Sequence, residues 1–163
     1  MNSIHIPRGL IPAVAAALVL AACGATTTGS PGTSGGAALI HTASMKVGDK
    51  TETVLKNKAG LTLYYFTPDT ATTVTCTGGC ATTWPPLIAD AGTPTSDATL
   101  PGRLSVVDGA NGKQVLYNGH PLYTYSKDGD AGDAYGQGIA GKWFVATPDV
   151  AAAASASASG YRY

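Results

Sequence analysis

The chain has 163 residues, in which ten lysine and arginine side chains balance ten aspartate and glutamate side chains. Without residues 1–22 the balance is nine against ten, which is still close to neutral. Such a chain lacks the basic surface that attracts phosphate backbones or anionic membranes, so we expect no nucleic-acid partner.

The first 22 residues have the pattern of an export signal. Residues 1–9 are polar with one cationic side chain, Arg8, and an apolar run from Leu10 to Ala22 follows. This run is shorter than the roughly 20 residues that cross the hydrocarbon core of a bilayer. It therefore predicts a cleaved signal peptide over residues 1–22 rather than a permanent membrane span.

Cys23 comes directly after the apolar run, in Leu-Ala-Ala-Cys-Gly. This sequence resembles the bacterial lipobox, in which cleavage leaves an acylated cysteine, carrying for example palmitate, as the first residue. The resemblance implies that Cys23 anchors the chain in the cell membrane on its extracytoplasmic side, since two acyl chains give stable attachment. An ordinary secretory signal with a cysteine near its cleavage site is the alternative.

Two low-complexity segments frame one domain. Residues 23–37 comprise Cys23 and a Gly/Ser/Thr-rich stretch that predicts a flexible linker. Residues 150–163 begin with an alanine- and serine-rich run and are expected to be a loose tail. Residues 38–149 are left as a single domain of ordinary size.

The domain contains an internal duplication at an offset of 59 residues. GLTLYYFTPD at residues 60–69 repeats as GHPLYTYSKD at residues 119–128, and the only two tryptophans are also 59 apart. Val54-Leu55 and Val115-Leu116 correspond with a slip of two residues. The units run roughly over residues 46–90 and 103–148. Their paired motif residues are Tyr64 with Tyr123, Phe66 with Tyr125, Asp69 with Asp128, and Trp84 with Trp143.

The repeats read as β-strands in chain order. After each Gly-marked turn, aromatic and aliphatic residues alternate in a strand pattern. Further strands are predicted at Lys50–Leu55, Arg103–Asp108, Gln114–Tyr117 and Lys142–Ala146, with a turn over residues 108–112 and one helical turn at Ala81–Trp84. We therefore predict an all-β domain with small α content, an antiparallel sheet duplicated in two halves that are related by a pseudo-two-fold axis and share one core.

The motif residues have two possible roles. Asp69 and Asp128 follow their strands in turn-rich sequence, where an aspartate accepts backbone N–H bonds. Either the aromatic residues of the motif form the shared core, or an exposed stripe binds glycan or protein and consists of Tyr64, Tyr123, Tyr125 and Tyr135. We favour the core, because duplication preserves folding determinants first.

Cys76 and Cys80 form the sequence Cys-Thr-Gly-Gly-Cys. Export places them outside the reducing cytosol, where an even pair normally forms a disulfide. So short a loop contributes only about 2 kcal/mol by chain entropy, which makes the bond a local clip. A redox-active pair or two metal ligands are the functional alternatives.

Several of these motifs resemble one family. Tyr-x-aromatic-x-x-Asp at residues 64–69 and 123–128, CTGGC followed by WPPL within residues 76–87, and YNGHPLY at residues 117–123 are similar to the secreted-repeat lipoproteins of bacteria. The resemblance covers roughly residues 46–148. It implies export, lipidation and a duplicated domain, with no established activity. In unit two Tyr135 and Ile139 replace the cysteine pair, which disfavours a duplicated metal site.

No catalytic constellation is evident, and we expect a non-enzyme without a cofactor. His41 lies outside the duplicated region, and no nucleophile elbow or zinc-type histidine spacing occurs. The three carboxylates of Asp128, Asp130 and Asp133 could offer oxygens to calcium, but they lack the EF-hand spacing. A solvated turn with aspartates capping their own backbone is the favoured interpretation.

Two functional hypotheses follow. The first is a lipid-anchored, non-catalytic envelope module that binds or scaffolds a protein or envelope partner. The second is a periplasmic metal-binding or electron-transfer lipoprotein that uses Cys76, Cys80 and His120, with His41 and Met45 as further candidates, because thiolate, thioether and imidazole together suit copper.

Overall fold

The computed structural model describes residues 38–90 and 92–154. Its elements, in chain order, are β1 (Ile40–Val47), β2 (Lys50–Asn57), β3 (Tyr64–Phe66), α1 (Gly79–Thr83), β4 (Leu104–Gly109), β5 (Gly112–Tyr117), β6 (His120–Tyr123), a 3-10 turn (Ile139–Gly141) and β7 (Trp143–Val145). The predicted all-β domain with small α content is confirmed. No helix in these described segments is long and apolar enough to cross a membrane. The predicted signal peptide, Cys23 and the linker lie outside the described residues.

The strands form two antiparallel sheets. β1 and β2 make a two-stranded sheet, and the other strands make a five-stranded sheet in the order β4-β5-β6-β3-β7. Two-residue turns close the β1-β2 and β4-β5 hairpins, since Val47 pairs with Lys50 and Gly109 with Gly112. The second turn lies inside the predicted turn over residues 108–112. Strand β1 was not predicted from the sequence.

A pseudo-two-fold axis relates the two units. β3 and β6 are antiparallel, and Tyr64 lies opposite its own repeat equivalent, Tyr123. On the outer sides, Tyr64 pairs with Val145 and Tyr123 bridges to Pro86, again residues 59 apart. An antiparallel pair of equivalent residues is the geometry that a local two-fold axis produces, so the predicted symmetry is present.

The segments that precede the repeated motif in the two units correspond with a slip of one residue, rather than the predicted slip of two. Their backbone hydrogen bonds show this. Leu55 N–H donates to Ala146 O at 2.8 Å, and Val115 N–H donates to Leu87 O at 2.8 Å. Because Ala146 and Leu87 are 59 apart, Leu55 is equivalent to Val115, at an offset of 60. Lys56 is consequently the counterpart of the buried Leu116.

The shared core has two layers, one on each face of the central strands. Leu63 and Leu122 belong to one cluster, whereas their neighbours Tyr64 and Tyr123 belong to the other. This division follows from the alternation of side chains along a strand. Each cluster contains residues of both units, so neither unit has a core of its own. The two units therefore depend on each other for stability.

Candidate functional site: the contacts between the two units

Two tyrosine–aspartate pairs join the units in a crossed arrangement. Tyr64 OH donates to Asp128 Oδ2 at 2.6 Å, and Tyr123 OH donates to Asp69 Oδ2 at 2.5 Å. Both tyrosines are fully buried, and Asp69 and Asp128 are only 3% and 6% exposed. Each tyrosine therefore bonds the aspartate of the other unit, not the aspartate five residues ahead in its own motif.

The second oxygen of each aspartate holds the local turn. Asp69 Oδ1 accepts from the N–H and the hydroxyl of Thr75, at 2.8 and 2.6 Å. Asp128 Oδ1 accepts from Tyr135 N–H at 3.0 Å. The prediction that these aspartates accept backbone N–H bonds is confirmed, and the bonds to the tyrosines are an additional role.

The buried phenols are proton donors rather than acids. Burial raises the pKa of Tyr64 and of Tyr123 far above the ordinary value, and the neighbouring carboxylates raise it further. Burial also raises the pKa of Asp128, against the hydrogen bond from Tyr64. At neutral pH the phenols keep their protons, and solvent does not reach the pairs. Their chemistry is that of a buried, charge-assisted hydrogen bond.

An aromatic stack runs across the pseudo-two-fold axis. The Trp84 and Trp143 rings lie parallel with centroids 3.7 Å apart. Tyr125 stacks on Trp84 and Phe66 on Trp143, each at 4.3 Å, so that each outer ring belongs to the opposite unit. The aromatic residues of the motif thus form the core, as predicted. Among the four tyrosines of the alternative exposed stripe, only Tyr135 is exposed, at 66%.

Gly136 limits the space beside this stack. A Cβ atom at position 136 would lie 2.7 Å from Tyr64 Cε1 and 2.9 Å from Trp84 Cη2. Since both rings are packed on their other faces, we expect Gly136→Ala to lower the free energy of unfolding by about 1–3 kcal/mol. The measurement is urea denaturation followed by circular dichroism. Gly79→Ala is the control, because a Cβ there meets nothing within 4 Å; equal losses in both variants would contradict the steric argument.

The disulfide positions Trp84. Cys76 and Cys80 are bonded to each other, with Cα atoms 5.2 Å apart. Cys80 lies in the short helix α1, and Trp84 N–H donates to Cys80 O at 2.9 Å. Asn111 Nδ2 donates to Cys76 O at 2.9 Å, which ties the loop to unit two. The local clip therefore holds one of the two stacked indoles.

The candidate soft-metal ligands lie in separate places. The sulfurs of Cys76 and Cys80 are bonded to each other, His120 packs against Tyr65, and His41 Nδ1 pairs with Asp97 Oδ2 at 2.8 Å. No group of three or more His, Cys, Asp or Glu side chains converges anywhere in residues 38–90 and 92–154. The arrangement required by the metal hypothesis is not assembled in this fold.

Residues 128–133 form an acidic loop whose carboxylates accept hydrogen bonds from the loop's own backbone. Asp130 Oδ1 accepts from Gly132 N–H at 2.8 Å. Asp133 Oδ2 accepts from the N–H groups of Gly129 and Asp130, at 2.8 and 3.2 Å, and these bonds lower the pKa of Asp133. The loop has the self-capped form that was favoured over a calcium site.

Lys56 is a buried cation that sequence reasoning missed. It is 3% exposed, and its ammonium group donates to Ala131 O at 2.7 Å, Thr62 Oγ1 at 2.8 Å and Met45 Sδ at 3.0 Å. Burial lowers its pKa, while the carboxylates of the acidic loop oppose the shift. The equivalence with the buried Leu116 appears only once the structure has fixed the register of the two units. The lysine fastens the acidic loop of unit two to a strand of unit one.

The comparisons with known proteins identify a family but no function. The family described as a secreted repeat of unknown function matches twice, at residues 47–88 and 105–147, which together are just over half of the chain. The two matches coincide with the two halves of the fold. No curated protein and no solved structure matches the chain.

Proposed function

We propose that this chain, which belongs to the secreted-repeat family of unknown function, is a lipoprotein of the cell envelope anchored through acyl chains on Cys23. Its duplicated domain is a non-catalytic module that binds or scaffolds a protein or envelope partner. The membership of a secreted family fits a location outside the cytoplasm. The anchor itself is supported by the apolar run and the lipobox-like residues around Cys23.

The observation that carries the non-catalytic part is the use of the repeated motif. Tyr64, Tyr123, Asp69 and Asp128 carry its reactive groups, and all four are buried and bonded to one another across the two units. A substrate cannot reach them without opening the core. The repeated motif therefore joins the two halves into one domain, and recognition of a partner falls to surface residues.

The predicted linker fits the same function. Fourteen residues separate Cys23 from Ala38, where the described domain begins. A Gly- and Ser-rich chain of this length has an r.m.s. end-to-end distance of about 20 Å. The domain would then be held close to the membrane and still be able to reorient toward a partner.

Replacing Cys23 tests the anchor. We expect Cys23→Ser to move the protein from the membrane fraction to the soluble exported fraction and to abolish labelling with radioactive palmitate, because the acylated thiol is lost. The control is the double variant Cys76→Ser/Cys80→Ser, which removes the other thiols and keeps the lipobox. Retention of Cys23→Ser in the membrane would show that the anchor proposal is wrong.

Site-specific photo-crosslinking in intact cells tests the binding module. The exposed side chains of Val106 and Tyr135 are the positions for a photoreactive amino acid. We expect a discrete adduct from at least one of them, and its loss when the same probe is carried by the Cys23→Ser protein. Absence of any adduct at both positions would contradict the binding proposal.

A further inference from the structure

The chain after β7 folds back onto the turn between β5 and β6. Tyr117 OH donates to Pro148 O at 2.6 Å, and Asn118 Nδ2 donates to Val150 O at 2.8 Å. His120 Nε2 lies 3.0 Å from Ala151 O. Thus three side chains of one turn bind main-chain carbonyls of residues 148–151, a segment that begins with a turn in which Val150 N–H donates to Thr147 O at 3.2 Å.

A fourth bond and a glycine define the end of this groove. Ala153 N–H donates to the main-chain oxygen of Asn118 at 2.8 Å. A Cβ at Gly119 would lie 3.4 Å from the Ala153 Cβ, so the alanine rests directly on the glycine. Val150 packs against the adjoining core cluster. The groove therefore accepts an apolar residue at position 150, and the missing side chain of Gly119 leaves room for the methyl group of Ala153.

Unit one has no such groove. The turn equivalent to Tyr117–His120 lies at residues 57–61, where Asn57 Oδ1 accepts from Ala59 N–H and Leu61 N–H, both at 2.9 Å. That side chain closes its own turn through its oxygen, and no hydrogen bond joins it to another segment within the described residues. Leu61 stands at the offset position of His120. Since the repeat fold is complete without a groove in unit one, folding alone does not explain the one in unit two.

We propose that the turn Tyr117–His120 is a peptide-binding site for a short segment that begins with a turn and continues with small side chains, and that residues 148–153 are a resident ligand which a peptide of the same chemistry replaces. This inference rests on the proposed binding module and names the chemistry of its partner. In the resting chain, the covalent connection gives the resident segment an effective concentration on the order of millimolar. A competing peptide therefore binds strongly only when the resident segment is released.

The surroundings of His120 favour its neutral ring. Its ring packs on Tyr65 with centroids 4.5 Å apart, and its Nδ1 atom is buried without a hydrogen-bond partner. The neutral ring donates from Nε2 to Ala151 O. Protonation would place a second N–H at Nδ1 where no acceptor lies, and burial lowers the pKa of His120, opposed by the Ala151 bond and by the Asp69 carboxylate.

The test uses the purified full chain and a fluorescent peptide of sequence Pro-Asp-Val-Ala-Ala-Ala-Ala, which reproduces residues 148–154. We expect Ala153→Trp to release the resident segment, seen as faster hydrogen exchange of the amide at position 153, and to tighten peptide binding at least tenfold in fluorescence anisotropy. Ala152→Trp is the matched control, because Ala152 is exposed, and its affinity should equal that of the wild type. Adding Asn118→Ala to Ala153→Trp should remove the gain.

Each contrary result overturns the proposal. If Ala153→Trp leaves the segment docked, the selection for a small residue is wrong; if the segment is released and the peptide binds no better, the groove is not a peptide site. Because binding is measured on purified protein, its failure leaves the fractionation result for Cys23→Ser unaffected.

Discussion

Replacing Trp84 by alanine is expected to lower the free energy of unfolding by about 3–5 kcal/mol. The buried indole stacks on Trp143 on one side and on Tyr125 on the other, so truncation opens a cavity in the layer that both units share. Trp143→Ala should cost a similar amount, because the pseudo-two-fold axis gives it equivalent neighbours. Urea denaturation followed by circular dichroism measures both losses.

The two indoles should also be energetically coupled. We consider a double-mutant cycle of Trp84→Phe and Trp143→Phe. The free energy of unfolding of the double variant should fall by less than the sum of the two single decreases, since each single change already removes the stacked pair. Phenylalanine keeps part of the burial and so keeps the double variant folded. Tyr135→Ala, at an exposed ring, should change stability by no more than about 0.5 kcal/mol. Additive tryptophan losses would refute the proposed coupling.

Removing either phenol oxygen is expected to lower the free energy of unfolding by about 1–3 kcal/mol, because a buried carboxylate loses its hydrogen-bond donor. Tyr123→Phe affects Asp69, and Tyr64→Phe affects Asp128. Because each tyrosine bonds the aspartate of the other unit, the structure also predicts which pairs of substitutions are non-additive. Tyr64→Phe should be non-additive with Asp128→Asn and additive with Asp69→Asn, although Asp69 lies only five residues ahead of Tyr64. Coupling to Asp69 instead would show that the pairs form within each unit.

Asp128 should make stability depend on acid pH. Burial raises its pKa in the folded protein above the ordinary value of 3.8. At pH values between the pKa in the unfolded chain and the higher pKa in the folded protein, the folded state binds more protons than the unfolded state. The free energy of unfolding contributed by this group therefore falls as the pH rises. Asp128→Asn should remove that decrease in denaturation curves recorded from pH 3 to pH 7. The exposed substitution Asp90→Asn is the control, and an unchanged slope in Asp128→Asn would contradict the prediction.

Much of the architecture is predictable because it depends on short-range sequence patterns that occur twice in the chain. Alternating residues identify the strands β2 to β7, and the offset of 59 identifies equivalent positions without any structure. Strand β1 escaped this approach, because Ile40–Val47 mixes apolar and polar residues and only its two ends are buried. It is a strand because a two-residue turn, with Gly48 at φ 60°, pairs it with β2.

The partners of the motif residues were not predictable in the same way. The sequence by itself determined the duplication, the strand pattern, the aromatic identity of the core and a cysteine pair spaced for a local bond, since each depends on residue type and short-range periodicity. Only the tertiary structure decided that Tyr64 bonds Asp128, that Lys56 is buried and that the segment after β7 lies on His120. The physical reason is that antiparallel pairing of β3 with β6 brings equivalent residues face to face about one axis. The contacts of Tyr64, Lys56 and His120 join positions 64, 75 and 31 residues apart along the chain, and no local pattern records them.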